Sequence, residues 1–332
     1  MPLHEDSLTF AIDSQVTRTP VRYQNRYGID IAADLYTPGN LDESGLHAAV
    51  VIGPPYGGVK EQGPGIYGNE LARRGFVALA FDPSYNGESG GAPRHVSSPD
   101  IFAEDFSAGV DFLGTLPYID REKIGALGIC GSGGFALNAA QVDTRIMAVA
   151  AVVMYDISGV KRNGWMDSQS DEERRAELRS IAAQRWADVD AGEPALTPVF
   201  PEDFNPAGLD PITAEFHEYY VADRGRHPRS IGGFTVTSGL SHVNFGAIAH
   251  LPDIAPRPIL LVTGEHAHSR YFSDAVLERA DEPKELVVVP GARHIDLYDR
   301  TDIIPFDKIE HFFAEGLSST VLTGPASVNG HA

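Results

Sequence analysis

Cysteine is nearly absent: the chain holds one, Cys130, in 332 residues. A lone thiol forms no internal disulfide. Basic residues are also few, 26 Lys and Arg against 46 Asp and Glu, for a formal net charge of −20. No basic cluster interrupts that acidic surface, which argues against nucleic-acid and anionic-membrane partners, since both reward cations. No apolar run approaches the ~20 residues that a bilayer span needs. Residues 1–10 carry acidic side chains where a signal peptide has positive charge and an apolar run, so a soluble, cytoplasmic protein is expected. What is present is an ordinary globular mixture, 42% hydrophobic and 22% charged, enough for one large core or a core with an insertion. The small, polar stretch 318–332 is expected to be a disordered tail.

Alternation in Ile29-Asp-Ile-Ala-Ala-Asp-Leu-Tyr36 predicts an antiparallel pair over 21–38 at a sheet edge. Strand-sized apolar runs follow at 48–52, 76–81, 124–127, 147–153, 258–262 and 285–289. Most gaps between them hold helix signals: 66–74, then 99–116 with Ser98 as N-cap and Pro99 at the first helical position, then 133–141. Strand and helix in alternation mean an α/β fold, a mostly parallel sheet with helices on both faces. The alternation breaks over 157–251, too long a stretch for a connection. Ser170 and Glu173 have capping-box spacing, Asp171 and Arg175 stand four apart, and a Pro- and Asp-rich stretch, 202–211, precedes a further helix over 213–221. The expected division is a core built from 1–156 and 252–317, an inserted helical cap of 157–251 over the elbow described next, and the tail.

The lone cysteine stands in Lys123-Ile-Gly-Ala-Leu-Gly-Ile-Cys-Gly-Ser-Gly-Gly134, which reads as a buried strand, a sharp turn and the start of a helix. Such an elbow exposes one side chain at the carboxyl edge of a sheet and needs small neighbours because the turn has no room for larger ones. This elbow, the order of elements and the insertion resemble the α/β-hydrolase superfamily over about residues 21–317. Gly128-Ile-Cys-Gly-Ser-Gly-Gly134 is similar to the cysteine elbow of dienelactone hydrolases, with Ser132 where those enzymes have Gly. Pro54-Pro-Tyr-Gly-Gly-Val-Lys-Glu-Gln62 and Phe81-Asp-Pro-Ser-Tyr-Asn-Gly-Glu-Ser-Gly90 resemble a branch that includes fungal polyketide acyltransferase-like proteins. That second resemblance implies acyl chemistry.

Cys130 is the expected nucleophile. Ser132 is the rival, but Leu127-Gly128-Ile129 leads directly from the strand into position 130, whereas 132 falls in the first helical turn. A free thiol with a pKa of ~8.5 is only a few per cent thiolate at neutral pH, so the site must supply the positive end of a helix and a base. His294, in Pro290-Gly-Ala-Arg-His-Ile-Asp-Leu-Tyr298, stands where the superfamily keeps its histidine, and chain order agrees. The superfamily's Gly-x-x-Asp reads Gly264-Glu-His-Ala267 here, which leaves Glu265 and, after the sixth strand, Asp156 as candidate acids. In the resemblance, the oxyanion takes one amide from the residue after the nucleophile, Gly131, and one from the turn 53–58. Pro54 and Pro55 have no N–H to give, so the second donor would be Tyr56 or Gly57, and Tyr56 is the one expected. Trp165, Tyr219, Tyr220 and Phe245 read first as cap core, and Tyr155, Trp165, His242 and Phe245 are the candidates for a substrate pocket.

His266 and His268, two apart, with His242 are too weak a pattern for a metal site, and no Gly-rich phosphate motif follows the first strand. The expectation is therefore a cofactor-independent hydrolase of a carboxylic ester, lactone or thioester, acting on a small-molecule acyl substrate through an acyl-cysteine. Acyl transfer to an alcohol, amine or thiol is the nearest alternative. A catalytically silent ligand-binding homologue is the third, resting on the missing acid. The acyl group and the oligomeric state, a homodimer included, stay open.

Overall fold

The computed structural model describes residues 7–318, so all but the first residue of the expected tail lies outside the described residues. Eight strands form one sheet: β1 Val16–Gln24, β2 Asp30–Pro38, β3 His47–Gly53, β4 Val77–Phe81, β5 Ile119–Ile129, β6 Ile146–Val152, β7 Ile259–Gly264 and β8 Lys284–Val289. Their spatial order is β1-β2-β4-β3-β5-β6-β7-β8. β1 and β2 pair antiparallel, β2 joins β4 antiparallel, and every pairing from β4 through β3 to β8 is parallel. The antiparallel pair at the edge and the parallel body match the alternating and the continuous apolar patterns respectively.

Alternate residues of the central strands feed two cores. Val50, Ile52, Ala78, Ala80, Leu127, Ala150 and Val262 share one core with α1 (Gly63–Arg73) and with Phe306, Ile309 and Phe313 near the end of the chain. Ala49, Val51, Leu79, Ala126, Val149 and Leu261 face α2 (Pro99–Leu113) and α3 (Gly131–Val142). α2 begins at Pro99 as the sequence predicts but ends at Leu113, because the chain then tightens into bonds from Thr115 N to Phe112 O and from Leu116 N to Leu113 O.

Between β6 and β7 the chain leaves the sheet for a helical insertion: α4 (Ile157–Asn163), α5 (Asp171–Ala191), α6 (Pro211–Tyr220) and α7 (Gly239–Val243). Ser170 and Glu173 form the full capping box at the head of α5. The predicted helix over 213–221 begins earlier, since the Asp210 carboxylate accepts from the amides of Ile212 and Thr213 and Pro211 fits the first turn. The insertion lies on loops at the carboxyl edge: Ser230 Oγ donates to Gly57 O, Gln62 Nε2 to Gly225 O, and Thr235 N to His95 O. After β7 come α8 (Arg270–Arg279), α9 (Asp296–Asp299) and α10 (Phe306–Gly316). Among the described residues no helix is long and apolar enough to cross a membrane.

One buried cation ties the insertion's exit to the core. Arg257 donates to the carbonyls of Ala140, Asp143, Ile146, Asp253 and Ile254, so one guanidinium serves the end of α3, the turn into β6 and the approach to β7. Replacing it by Met leaves five carbonyls without that donor. Arg257→Met is expected to cost about 3 kcal/mol of unfolding free energy, the scale of buried acceptors left unsatisfied, as read from denaturant melts. A loss below about 1 kcal/mol would show that water substitutes for the guanidinium there.

Candidate active site

Cys130 closes β5 and precedes α3 with φ 54° and ψ −120°, a left-handed backbone that costs a non-glycine residue roughly 1–3 kcal/mol. Its amide donates to Val152 O and its carbonyl accepts from Tyr155 N, both at 2.9 Å, so the neighbouring strand and its exit hold the turn in place. Two close approaches dictate the glycines. A Cβ at Gly128 would sit 2.0 Å from Ser132 O, and one at Gly131 would sit 2.9 Å from Tyr56 Cβ.

The sulfur is buried, and the donors that favour its thiolate are the Tyr298 hydroxyl and the backbone amides of Tyr56 and Gly131. Burial pushes the thiol pKa up, and these three donors only partly oppose it. The Tyr56 loop is held from two sides. Its hydroxyl donates to Ser97 Oγ at 2.9 Å, and Ser97 in turn meets His242 Nε2 at 2.7 Å. Farther along the loop, the Lys60 ammonium sits among the carboxylates of Glu61, Asp82 and Glu88, while Asp82 also accepts from the amides of Lys60 and Glu88 at 2.8 Å. Burial works to lower the Lys60 pKa, but Asp82 and Glu61 outweigh it and keep the ammonium charged. The two sequence stretches that resemble the fungal branch thus meet in one buried ion cluster.

His294 follows β8, fully buried, with Nδ1 2.7 Å from Ser269 Oγ and Nε2 2.9 Å from Tyr298 Oη. Burial, assisted by His268 with its ring 4.5 Å away, drives the imidazole pKa well below its ordinary value. The resting pair is therefore a neutral thiol and a neutral imidazole. Neither candidate acid bonds to this ring. Glu265 accepts from Gly291 N at 2.8 Å, and Asp156 caps α4 by accepting from Gly159 N at 2.8 Å. The hydroxyl of Ser269 stands at Nδ1 instead. Ser132 lies in the first turn of α3, and a Cβ on Gly53 would come within 2.8 Å of its Oγ.

Cys130 opens on a cavity of about 290 Å³ lined by Tyr56, Tyr155, Ile157, Phe200, Thr213, Phe216, His217 and Tyr220. Of the four residues proposed from sequence for the pocket, Tyr155 lines it. Trp165 packs edge-on to Tyr271 with ring centroids 5.1 Å apart and tilted over Tyr155 at 5.8 Å, and Phe245 packs on the hydrophobic core. His242 is buried between Ser97 and Ser158, its pKa pushed down to about 3 by burial and by Lys161. A wider groove beside Trp186 and Val189 on α5 contains no Cys, Ser or His. Ser269 and Tyr298 were not singled out from the sequence. Tyr298 carried a signal, since it follows His294 by four residues, one helical turn.

The insertion grips the histidine loop. Glu215 on α6 accepts from Ile295 N at 2.9 Å, Glu218 pairs with Arg293 at 2.8 Å, and Arg224 reaches Asp299 at 2.7 Å and Asp296 at 3.2 Å. Alkylation of Cys130 by iodoacetamide, followed by intact mass, reads the thiol's environment directly. The pKa is raised, so the thiolate fraction must lag behind that of a free thiol. The rate is expected to be low at neutral pH and to reach half its maximum above pH ~8.5. A midpoint below that value would mean that the amides and the helix outweigh burial.

No family model matches the chain. It is 50% identical over 312 residues to the uncharacterized protein PA2218 of Pseudomonas aeruginosa, covering 93% of this chain and 83% of the relative. The crystal structure of that protein matches with a TM-score of 0.90 at 49% identity, over 95% of this chain and 99% of the other. Thiohydrolase aneE of Aspergillus aculeatus is 25% identical over 230 residues, 68% of this chain and 69% of that protein. Polyketide transferase grgF of Penicillium sp is 28% identical over 226 residues, 67% of this chain and 72% of that protein. The crystal structure of GrgF, an α/β hydrolase, shares the fold at a TM-score of 0.76 and 22% identity, over 91% of this chain and 100% of the other. With half its residues in common with the Pseudomonas protein, and with the fold of an α/β hydrolase, the chain belongs to the family of PA2218.

Proposed function

We propose that the protein cleaves a carboxylic ester, lactone or thioester through an acyl-cysteine on Cys130, without a cofactor. One observation carries this reading: the lone thiol stands on a strand–turn–helix elbow at φ 54°, where the Gly131 and Tyr56 backbones come close together, and it faces an aromatic cavity. A binding protein gives no reason to hold a cysteine in that unfavourable backbone. In the reaction, Sγ attacks the substrate carbonyl carbon and the C=O π pair moves onto oxygen, where the Tyr56 and Gly131 amides receive it. His294 takes up the thiol proton and returns it to the leaving oxygen or sulfur as the tetrahedral intermediate collapses. Water then attacks the thioester, with His294 as base, and frees the acid and the thiol.

A hydroxyl at Nδ1 stabilises an imidazolium less than a carboxylate does, which suits this nucleophile. Even with its pKa raised by burial, a thiol needs far less basic help than an alcohol, so Ser269 is sufficient to fix the ring and its tautomer. The segment 157–251 serves in this reading as the cap between core pieces 1–156 and 252–317, since Phe200, Thr213, Phe216, His217 and Tyr220 come from it. Their chemistry favours a small, largely apolar or aromatic acyl group. Transfer of the acyl group to an alcohol, amine or thiol is the second reading. It is supported by the apolar lining and by the relatives, of which one is a thiohydrolase and another a polyketide transferase.

The test is a panel of p-nitrophenyl esters and simple thioesters, with intact mass during turnover, for wild type, Cys130→Ala, Cys130→Ser and Ser132→Ala. An acyl adduct is expected on wild type and on Ser132→Ala, and Cys130→Ala is expected to lose about 10³-fold or more in kcat/KM. An adduct that persists in Cys130→Ala and vanishes in Ser132→Ala would overturn the thiol nucleophile. Added alcohols or amines that compete with water for the acyl group would move the assignment to a transferase.

A further inference from the structure

One imidazole beside the site has no part in the reaction as written. The ring of His268 lies 4.5 Å from that of His294, centroid to centroid, at an interplanar angle of 34°. Phe216 on α6, Trp165 and Tyr155 complete a box of rings around it at 5.3, 5.7 and 6.0 Å. Among the described residues neither nitrogen of His268 has a hydrogen-bond partner. A phenyl ring would fill the same box without that penalty. One carboxylate stands within ion-pair reach: Glu215 Oε2 lies 3.4 Å from His268 Nδ1, each side chain being 10% exposed. Its other oxygen, Oε1, accepts from Ile295 N at 2.9 Å, which ties the carboxylate to the residue next to His294. We propose that Glu215 is the carboxylate that serves His294, a positioning residue that acts from the insertion through the ring of His268, an inference that rests on the acyl-cysteine reading above.

The reaction creates a need for such a charge. When Sγ attacks the carbonyl and its proton passes to His294, a neutral imidazole becomes an imidazolium inside an aromatic enclosure. Ser269 fixes the tautomer through Nδ1 but adds no charge, and the carboxylates of Glu265 and Asp156 are bonded elsewhere. Glu215 supplies a full negative charge at the edge of the enclosure. With His268 neutral and its Nδ1–H turned toward Glu215, the two side chains together carry one negative charge, and the polarised ring lies against the developing cation. A proton on His268 would cancel that charge and set a second positive ring against His294, the sense in which His268 depresses the His294 pKa. The benefit belongs to the step in which the imidazolium exists, so it lowers the barrier and leaves substrate binding alone.

Both members of the pair are held in place. His268 follows β7 and directly precedes Ser269, so one loop delivers a ring against His294 and a hydroxyl to its Nδ1. Glu215 shares its side of α6 with Glu218, which pairs with Arg293 at 2.8 Å on the histidine loop. Thr213, Phe216, His217 and Tyr220 of the same helix line the cavity. A disturbance of α6 as a whole would therefore reach the pocket wall and appear in KM.

The experiment compares acylation of Cys130 by a p-nitrophenyl ester in single turnover, together with steady-state KM, at pH ~8, where an ordinary imidazole is neutral. Glu215→Gln removes the charge and keeps an oxygen to accept from Ile295 N, so a purely structural role predicts no change. With folding checked by melting curve, this variant is expected to acylate about 10–10²-fold more slowly, with KM within about two-fold of wild type. His268→Phe keeps a ring in the box and is expected to lose a similar factor. Adding Glu215→Gln to it is expected to cost less than about three-fold more, because the two act in series. A folded Glu215→Gln that acylates within about two-fold of wild type, or whose loss lies in KM, would overturn the proposal. So would a folded His268→Phe at the wild-type rate, a result that does not depend on the first variant folding. Losses that multiply fully in the double variant would overturn the path through His268. Absence of a wild-type adduct, or one that survives Cys130→Ala, would instead remove the acyl-cysteine reading, and the role of Glu215 with it.

Discussion

The left-handed backbone of Cys130 is the constraint on which the site depends. A side chain leaving a strand in ordinary extended geometry points into one of the two cores, as Ile129 does. The reversal of φ at the next residue turns the sulfur out along the carboxyl edge of the sheet instead. That conformation is unfavourable for a residue with a Cβ and survives only where neighbours over-determine it. Here β6 and its exit clamp both backbone groups of Cys130, and glycines at 128 and 131 let α3 and the Tyr56 loop come close enough to pack. The same closeness sets the Gly131 and Tyr56 backbones side by side at the elbow, so the strain and the proposed oxyanion site have a common origin.

Burial decides the charge state of everything around that sulfur. A thiolate and an imidazolium would each need solvation that the enclosing rings of Tyr155, Phe216, Tyr220 and Tyr298 do not offer, and both pKa directions favour the neutral forms. Charge appears in such a site only when a carbonyl reacts, and fixed amides are then worth more than they would be in water. Two of the ion sites that the fold buries are kept apart from this chemistry, at Lys60 with its three carboxylates and at Arg257 with its carbonyls. Each is compensated locally, as buried charge requires, and each holds a loop or a chain exit in register.

The sheet was legible because the central strands are continuous runs of Val, Ile, Leu and Ala, a pattern tied to burial on both faces. The elbow was legible because its glycines have a steric reason, whereas two prolines without N–H groups narrowed the choice of loop donor only to Tyr56 or Gly57. What sequence could not supply was direction. Glu265 and Asp156 occupy sensible chain positions, but one carboxylate turns to the Gly291 amide and the other to the head of α4. Trp165, His242 and Phe245 are aromatic and close to the site, yet periodicity reports that a ring is buried, not which side of a wall it faces. The short polar groups at the imidazole fall in the same class: a serine such as Ser269 carries no mark until the two loops that bring it to His294 are in place.

Helix α6 faces two ways at once. Thr213, Phe216, His217 and Tyr220, spaced i, i+3, i+4 and i+7, form the stripe that lines the cavity. Glu215 and Glu218, three apart on another stripe, hold the loop that carries His294. The cavity lining can therefore change by exchanging side chains along the first stripe while the second keeps His294 in its seat. Exchanging the whole insertion with that of another hydrolase would bring in a new pocket and unseat the histidine in the same stroke, so change in this lineage is channelled into single residues and away from shuffled modules.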